Sequence, residues 1–289
     1  MEYEGNIYRP PSEAYSLIVQ ATIGCSNDTC TFCSMYKDKQ FRVRPVDDVL
    51  SDLREAKAIC RRVERLFLAD GDALVLGTDK LLLILEEARR LFPECKRINV
   101  YGTPKDVLRK TPGDLISLRE NGLEMVYIGA ESGDDEILRI VKKGATADEI
   151  IAAIRRLEDA GIQASVTFIS GLGGIGLSKQ HAEGCARVIT ESCPSFAALL
   201  TLLLEPGAPM LADVKAGRFK FMTPEEVAEE TLLLLDLARP EKECVFRSNH
   251  ASNYVPLKGN LPADNDRLIQ TLQTALDKGA FKADYFRLL

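Results

Sequence analysis

The sequence predicts an α/β fold: parallel strands alternating with helices, arranged as a partial (β/α)6 or fuller TIM-type barrel with a C-terminal capping segment. Three observations carry that expectation. Six short, nearly continuous apolar runs recur along the 289 residues. Helix-period patterns with recognisable start signals lie between them. Nearly every run closes on small or polar residues: ATIGC, LADGD, YGTPK, GAESG, SGLGG and LEPGA. A strand buried on both faces of a parallel sheet reads as a continuous apolar run rather than an alternating one. Periodicity alone leaves an open doubly wound sheet and a barrel both available. The strand-end texture favours the barrel, whose strand carboxyl ends carry the chemistry.

The runs are YSLIVQATI (15–23), ERLFLADG (64–71), RINVYGT (97–103), EMVYIGAESG (124–133), IQASVTFISGLGG (162–174) and SFAALLTLLLEPG (195–207). Between the first two, Val49, Leu53, Ala56 and Cys60 share one helix face, which marks Cys60 as a small core residue. A second helix covers Leu81 to Leu91, with Thr78 or Asp79 as its cap. A third runs from Asp134 to Lys143 and stops at Gly144. Thr146-Ala147-Asp148-Glu149 reads as a capping box, followed by Ile150, Ile154 and Leu157 on one face. Thr223-Pro224-Glu225-Glu226 repeats the signal with proline at the first helical position. Residues 1–240 form the expected barrel. From 241 the texture changes, and 241–289 is expected to cap the barrel and help form a substrate site.

Bulk properties narrow the function. The net charge is −6 and the isoelectric point about 5.3, which argues against a broad basic face for nucleic acid. The longest apolar run, FAALLTLLL (196–204), is too short to span a bilayer, and the N-terminus lacks a signal layout. The expectation is a cytoplasmic protein. Of eight cysteines, five are scattered, while Cys25, Cys30 and Cys33 fall within nine positions directly after the first strand. In a reducing compartment such a trio is a soft-metal site rather than a disulfide framework. A closed zinc site wants four ligands, and the only histidines, His181 and His250, are remote in sequence. A cubane iron–sulfur cluster held by three thiolates leaves one iron open to another ligand.

CSNDTCTFC, with an aromatic before its last cysteine, resembles the loop of radical S-adenosylmethionine (SAM) enzymes. It is one residue longer than their commonest C-x3-C-x2-C spacing. The resemblance extends over residues 15–240. LADGD is similar to the family's Gly-Gly-Glu-type turn. YIGAESGDDEILRIVKKGAT, FISGLGG and LLLEPGAPM are similar to stretches of the oxygen-independent coproporphyrinogen oxidase-like and methylthiotransferase-like branches.

The resemblance implies a [4Fe-4S] cluster on Cys25, Cys30 and Cys33, with SAM chelating the fourth iron. One electron then cleaves SAM to a 5′-deoxyadenosyl radical that abstracts hydrogen from a substrate. It further implies that Phe32 shields the cluster or adenine and that the carbonyls near Ala69 and Asp70 meet the methionine ammonium. Gly71 permits close approach there, and Asp72 adds charge. Glu131 and Ser132 suit the ribose hydroxyls or the ammonium, while Gly171, Gly173 and Gly174 let backbone approach adenine. Tyr101 ends the third strand near the expected substrate space. FRSNHASNYVPLKG (246–259) concentrates polar groups, and its His250 is a candidate for substrate binding or proton movement. His181 reads as a surface residue. The basic run MYKDKQFRVRP (35–45) is a solvated loop or a partner for an acidic group.

The implied activity is a radical SAM enzyme acting on a small-molecule or peptide substrate. A reductase such as flavodoxin or ferredoxin would supply the electron. No membrane partner is expected, and nucleic acid is disfavoured. Two alternatives stand: an RNA-modifying radical SAM enzyme, supported by the basic run, and a zinc-stabilised barrel acting as a binding protein.

Overall fold

The computed structural model describes residues 1 and 3–287. The first elements are β1 (Leu17–Gln20), β2 (Thr22–Ile23), β3 (Arg42–Val43), α1 (Val46–Ile59), β4 (Arg65–Ala69), α2 (Thr78–Leu91) and β5 (Arg97–Tyr101). Then come α3 (Pro104–Arg109), α4 (Pro112–Glu120), β6 (Leu123–Glu131), α5 (Asp135–Ile140), α6 (Ala147–Asp159), β7 (Gln163–Ser170) and α7 (Ser178–Ser192). The chain continues through β8 (Phe196–Thr201), α8 (Leu211–Lys215), α9 (Pro224–Leu237), β9 (Cys244–Ser248), β10 (Leu257–Leu261) and α10 (Asn265–Lys278). Eight strands form one sheet in the order β1-β4-β5-β6-β7-β8-β9-β10, and β2 and β3 form a separate ribbon. The fold is therefore mixed α/β with a mostly parallel sheet, the class predicted from the alternating apolar runs. No helix among the described residues is long and apolar enough to cross a membrane.

Two compact units emerge. The first comprises residues 1–28, 35–128 and 156–164. In it β1, β4, β5 and β6 pair in parallel, with Leu17 opposite Leu66 and Leu66 opposite Ile98. Leu66, Phe67, Leu68 and Ala69 are all buried, as an interior parallel strand requires. On α1, Val49, Leu53 and Ala56 are buried on the face read from sequence. Cys60, expected in the core, is instead the half-buried C-cap that ends α1. The N-cap of α2 is Gly77 rather than the expected Thr78 or Asp79. Thr103 caps α3 by accepting from the Asp106 N–H, and Thr111 and Asp114 form a capping box on α4.

The second unit comprises residues 29–34, 129–155 and 165–289. Here β7, β8 and β9 pair in parallel and β10 runs antiparallel to β9. The stretch after residue 241 thus supplies two strands and a helix, which its texture did not reveal. Both anticipated capping boxes form: Thr146 with Glu149, and Thr223 with Glu226 at the start of α9. Asp134 caps α5 by accepting from the Ile137 N–H at 2.9 Å.

Candidate active site

In the first unit the carboxyl ends of β1 and β4 are tied together. The Gly71 N–H donates to the Gly24 carbonyl at 3.0 Å, and the Gly24 N–H donates to Asp70 Oδ2 at 3.1 Å. Gly24 has φ +73°, so the turn into the cysteine loop needs a residue that tolerates the left-handed region. A Cβ on Gly71 would lie 2.9 Å from the Cys25 Cβ and 2.6 Å from the Tyr36 ring. Only glycine lets the LADGD turn lie against the first cysteine. The Ala69 carbonyl accepts from the Ala21 N–H.

Asp70 and Asp72 are fully buried, and each keeps an Oδ1 with no hydrogen-bond partner among the described residues. Asp70 Oδ2 receives Lys39 Nζ at 2.7 Å, and burial raises its carboxyl against that ammonium. Asp72 Oδ2 accepts from the Ser26 hydroxyl, one residue after Cys25. Burial, and then the neighbouring Asp106 carboxylate, push Asp72 well above the ordinary aspartate range. Tyr101, half-buried at the end of β5, packs edge-on against Phe67 and Tyr127, with centroids 5.1 and 5.9 Å away. Three cations of the basic run after the cysteines pair with carboxylates of this chain, one of them at the surface. Lys39 pairs with Asp70, Arg42 with Glu4, and Arg44 with Asp52 at 2.7 Å. The reading of this run as a solvated loop is corrected only at Lys39, whose side chain is 3% exposed; Lys37 and Arg42 are exposed.

In the second unit the segment bearing Cys30 and Cys33 is held from both sides. The Thr31 N–H donates to the Val141 carbonyl at 3.0 Å, and the Met210 N–H donates to the Thr31 carbonyl at 2.8 Å. Phe32 packs against the buried cluster formed by Ile137, Val141, Leu172, Leu202 and Met210. Cys30 is buried with its Sγ 3.9 Å from the Lys142 carbonyl, and Cys33 is half-buried. Glu131 closes β6 in the left-handed region, φ +67°, and its carboxylate pairs with Lys143 Nζ at 3.0 Å. A side chain other than glycine held in that region marks a place the surrounding structure determines.

Behind these residues lies a polar network that sequence reasoning missed. His181, expected at the surface, is 1% exposed. Its Nδ1 is 2.9 Å from Ser132 Oγ, and its Nε2 lies 3.8 Å from Glu230 Oε1 and 3.6 Å from Cys185 Sγ. Glu230 Oε1 accepts from the Gly171 N–H and Oε2 from the Ser178 hydroxyl, both at 2.8 Å. Burial drives the imidazole down, against the pull of the Glu230 charge, and drives the Cys185 thiol well up. One carboxylate therefore anchors the glycine turn, with Gly171 at φ +80°, while the imidazole anchors Ser132 beside Glu131. A Cβ on Gly173 would meet Ile137 Cδ1 at 2.7 Å, which seats the same turn on α5. The signal for His181 was its helical spacing: with Cys185 and Val188 it shares the apolar face of α7. Glu230→Ala would strand the Gly171 N–H and Ser178 hydroxyl, so a urea melt should show a loss of about 1–3 kcal/mol.

His250 is half-buried, its Nδ1 2.9 Å from Ser252 Oγ, and burial lowers its pKa. Asn253 is spent on β8: its Nδ2 donates to the Leu199 carbonyl and its Oδ1 accepts from the Thr201 hydroxyl. The structure thus brings Cys25 together with 69–72 in one unit. In the other, Phe32 packs on the apolar cluster that includes Leu172 of the β7 turn.

Comparison with known proteins bears on this geometry. The model of the Radical SAM superfamily matches residues 19–187, more than half of the chain. This chain belongs to the radical SAM superfamily. It is an enzyme of that class, whose members use a [4Fe-4S] cluster and SAM. It is 30% identical over 236 residues to the tRNA-2-methylthio-N(6)-dimethylallyladenosine synthase of Yersinia enterocolitica, covering 76% of this chain and 45% of that protein. The chain spans less than half the length of the curated relatives it matches. Among solved structures, methylornithine synthase aligns with a TM-score of 0.55 at 12% identity, covering 89% of this chain and 68% of that one. Coproporphyrinogen III oxidase from Escherichia coli gives 0.55 at 20% identity, covering 77% and 52%. These two likenesses establish the fold.

The residues of this radical SAM chain fit the family's cofactors. Thiols stand at Cys25 in the first unit and at Cys30 and Cys33 in the second; Phe32 packs on the second unit's apolar cluster, and in the first a buried carboxylate oxygen without a partner lies on the turn beside Cys25. That orphaned oxygen, Asp72 Oδ1, suits a cationic ligand.

Proposed function

We propose that Cys25, Cys30 and Cys33 hold a [4Fe-4S] cluster at which SAM is reductively cleaved to a 5′-deoxyadenosyl radical, which takes hydrogen from a small-molecule or peptide substrate. The single observation supporting this most directly is the family match across 19–187, which contains the cysteine loop and the strand ends around it. The chain's own residues have separable tasks. Asp72 offers its free oxygen to the methionine ammonium. Gly71 keeps that turn close to Cys25. Phe32 excludes water from the loop. Glu131, held by Lys143, and Ser132, held by His181, present oxygens for the ribose. Gly171 and Gly173 hold the β7 turn where backbone meets adenine. His250 and Tyr101 remain the proposed substrate-facing groups. A reductase of the flavodoxin or ferredoxin type supplies the electron.

Anaerobic reconstitution followed by SAM and dithionite tests the reading. Brown protein with about four irons per chain and formation of 5′-deoxyadenosine is the expected result. Colourless protein holding one zinc and leaving SAM intact would end it. A second reading, RNA as substrate, draws on the tRNA-modifying relative. It requires binding that weakens steeply with salt, and the ion pairs of Lys39, Arg42 and Arg44 leave the basic run little charge to contribute.

A further inference from the structure

A cavity of about 410 Å3 opens in the second unit at the carboxyl ends of β7 and β8. Its size is that of a small-molecule site. Ser170 and Thr201 supply hydroxyls from the strand ends, and Leu203, Met222 and Val227 supply apolar wall. Gly171, whose N–H is anchored by Glu230, lies on its edge.

The unusual member of the lining is Arg287. It is 3% exposed and stacks on the Tyr254 ring with its guanidinium carbon 3.6 Å from the centroid. Its Nε donates to the Ser252 carbonyl at 2.6 Å and its Nη1 to Asp284 Oδ1 at 2.5 Å. Neither of these hydrogen bonds uses Nη2. A buried guanidinium with an unused edge on a ligand-sized cavity is a site for an anionic oxygen. Asp284 also lines the cavity and already offsets one charge. A monoanion is thereby favoured over a dianion, which would face that carboxylate.

We propose that this cavity binds a small molecule with one carboxylate and an apolar body, the carboxylate on Arg287 Nη2 and the body against Leu203 and Met222. Taking that molecule as the substrate rests on the proposed radical chemistry; the binding does not.

The test is calorimetric titration of the reconstituted full chain with sodium octanoate, octylamine and 1-octanol. Octanoate should bind at least about tenfold tighter than the other two, and Arg287→Gln should remove that preference. Arg287 also holds Tyr254 and Ser252, so a second variant, Leu203→Trp, fills the cavity with the guanidinium intact. It should abolish octanoate binding while leaving the melting temperature near that of the wild type. Equal binding of octanoate and octylamine, no binding of any probe, or unchanged octanoate affinity in both variants would overturn the proposal. Iron content and SAM binding of the same preparation report on the other reading. Iron-loaded protein indifferent to octanoate sinks the cavity assignment alone. Protein that takes octanoate selectively but never assembles a cluster sinks the radical chemistry alone.

Discussion

Replacing Cys30 with alanine is expected to leave a folded protein that neither holds a full cluster nor cleaves SAM. The side chain is small and its segment is held by backbone bonds from Thr31 to Val141 and Met210, so the stability change should stay within about 1 kcal/mol. The chemical change is large, because a cubane on two thiolates has lost one of its three protein ligands. Wild-type protein reconstituted without oxygen should carry about four irons, and the variant far fewer. Its 5′-deoxyadenosine should fall to the level of a no-enzyme control. Thermal melts beside iron assays separate misfolding from ligand loss. A brown, turning-over Cys30→Ala protein would rule out this cysteine as a ligand.

Asp72→Asn should separate stability from function. Burial and Asp106 raise the Asp72 pKa in the folded state, so between its unfolded and folded values the folded chain holds a proton the unfolded chain has released. The unfolded state then binds fewer protons, and stability falls as pH rises through that window. Asparagine is neutral throughout and its amide can donate to Asp106. Cluster-free Asp72→Asn should therefore be more stable than wild type at pH 8, by about 0.5–2 kcal/mol. The advantage should shrink as pH drops toward the ordinary aspartate range. SAM binding to the loaded enzyme should weaken at least about tenfold, since the amide cannot ionise to meet the ammonium. Equal pH dependence of the two melting curves would show that Asp72 is not held protonated in the folded chain.

Much of the fold was legible because parallel strands and capped helices announce themselves locally. The runs at 64–71 and 162–174 became β4 and β7, and Thr223-Pro224-Glu225-Glu226 became the N-terminus of α9. The short, polar-interrupted CVFRS and LKGNL carried no comparable signal. They are strands because β8 offers an edge for β9 and β9 one for β10. Likewise, charge alone marked Lys39 and Arg44 as solvated, but the sequence holds no record that Asp70 and Asp52 stand opposite them.

By itself the sequence determined the α/β class, the radical SAM family and the loop bearing Cys25, Cys30 and Cys33, because spacing along a chain is enough to define strand, cap and ligand patterns. Only the tertiary structure decided that His181 and Glu230 brace the β7 turn, that Asp72 keeps an unpaired oxygen, and that Arg287 lines a cavity beside Thr201. Each of these depends on burial and on partners 49 or more positions away along the chain in the case of His181 with Glu230 or Ser132. Desolvation, which sets their charge and their readiness to bind, exists only once the chain has closed around them.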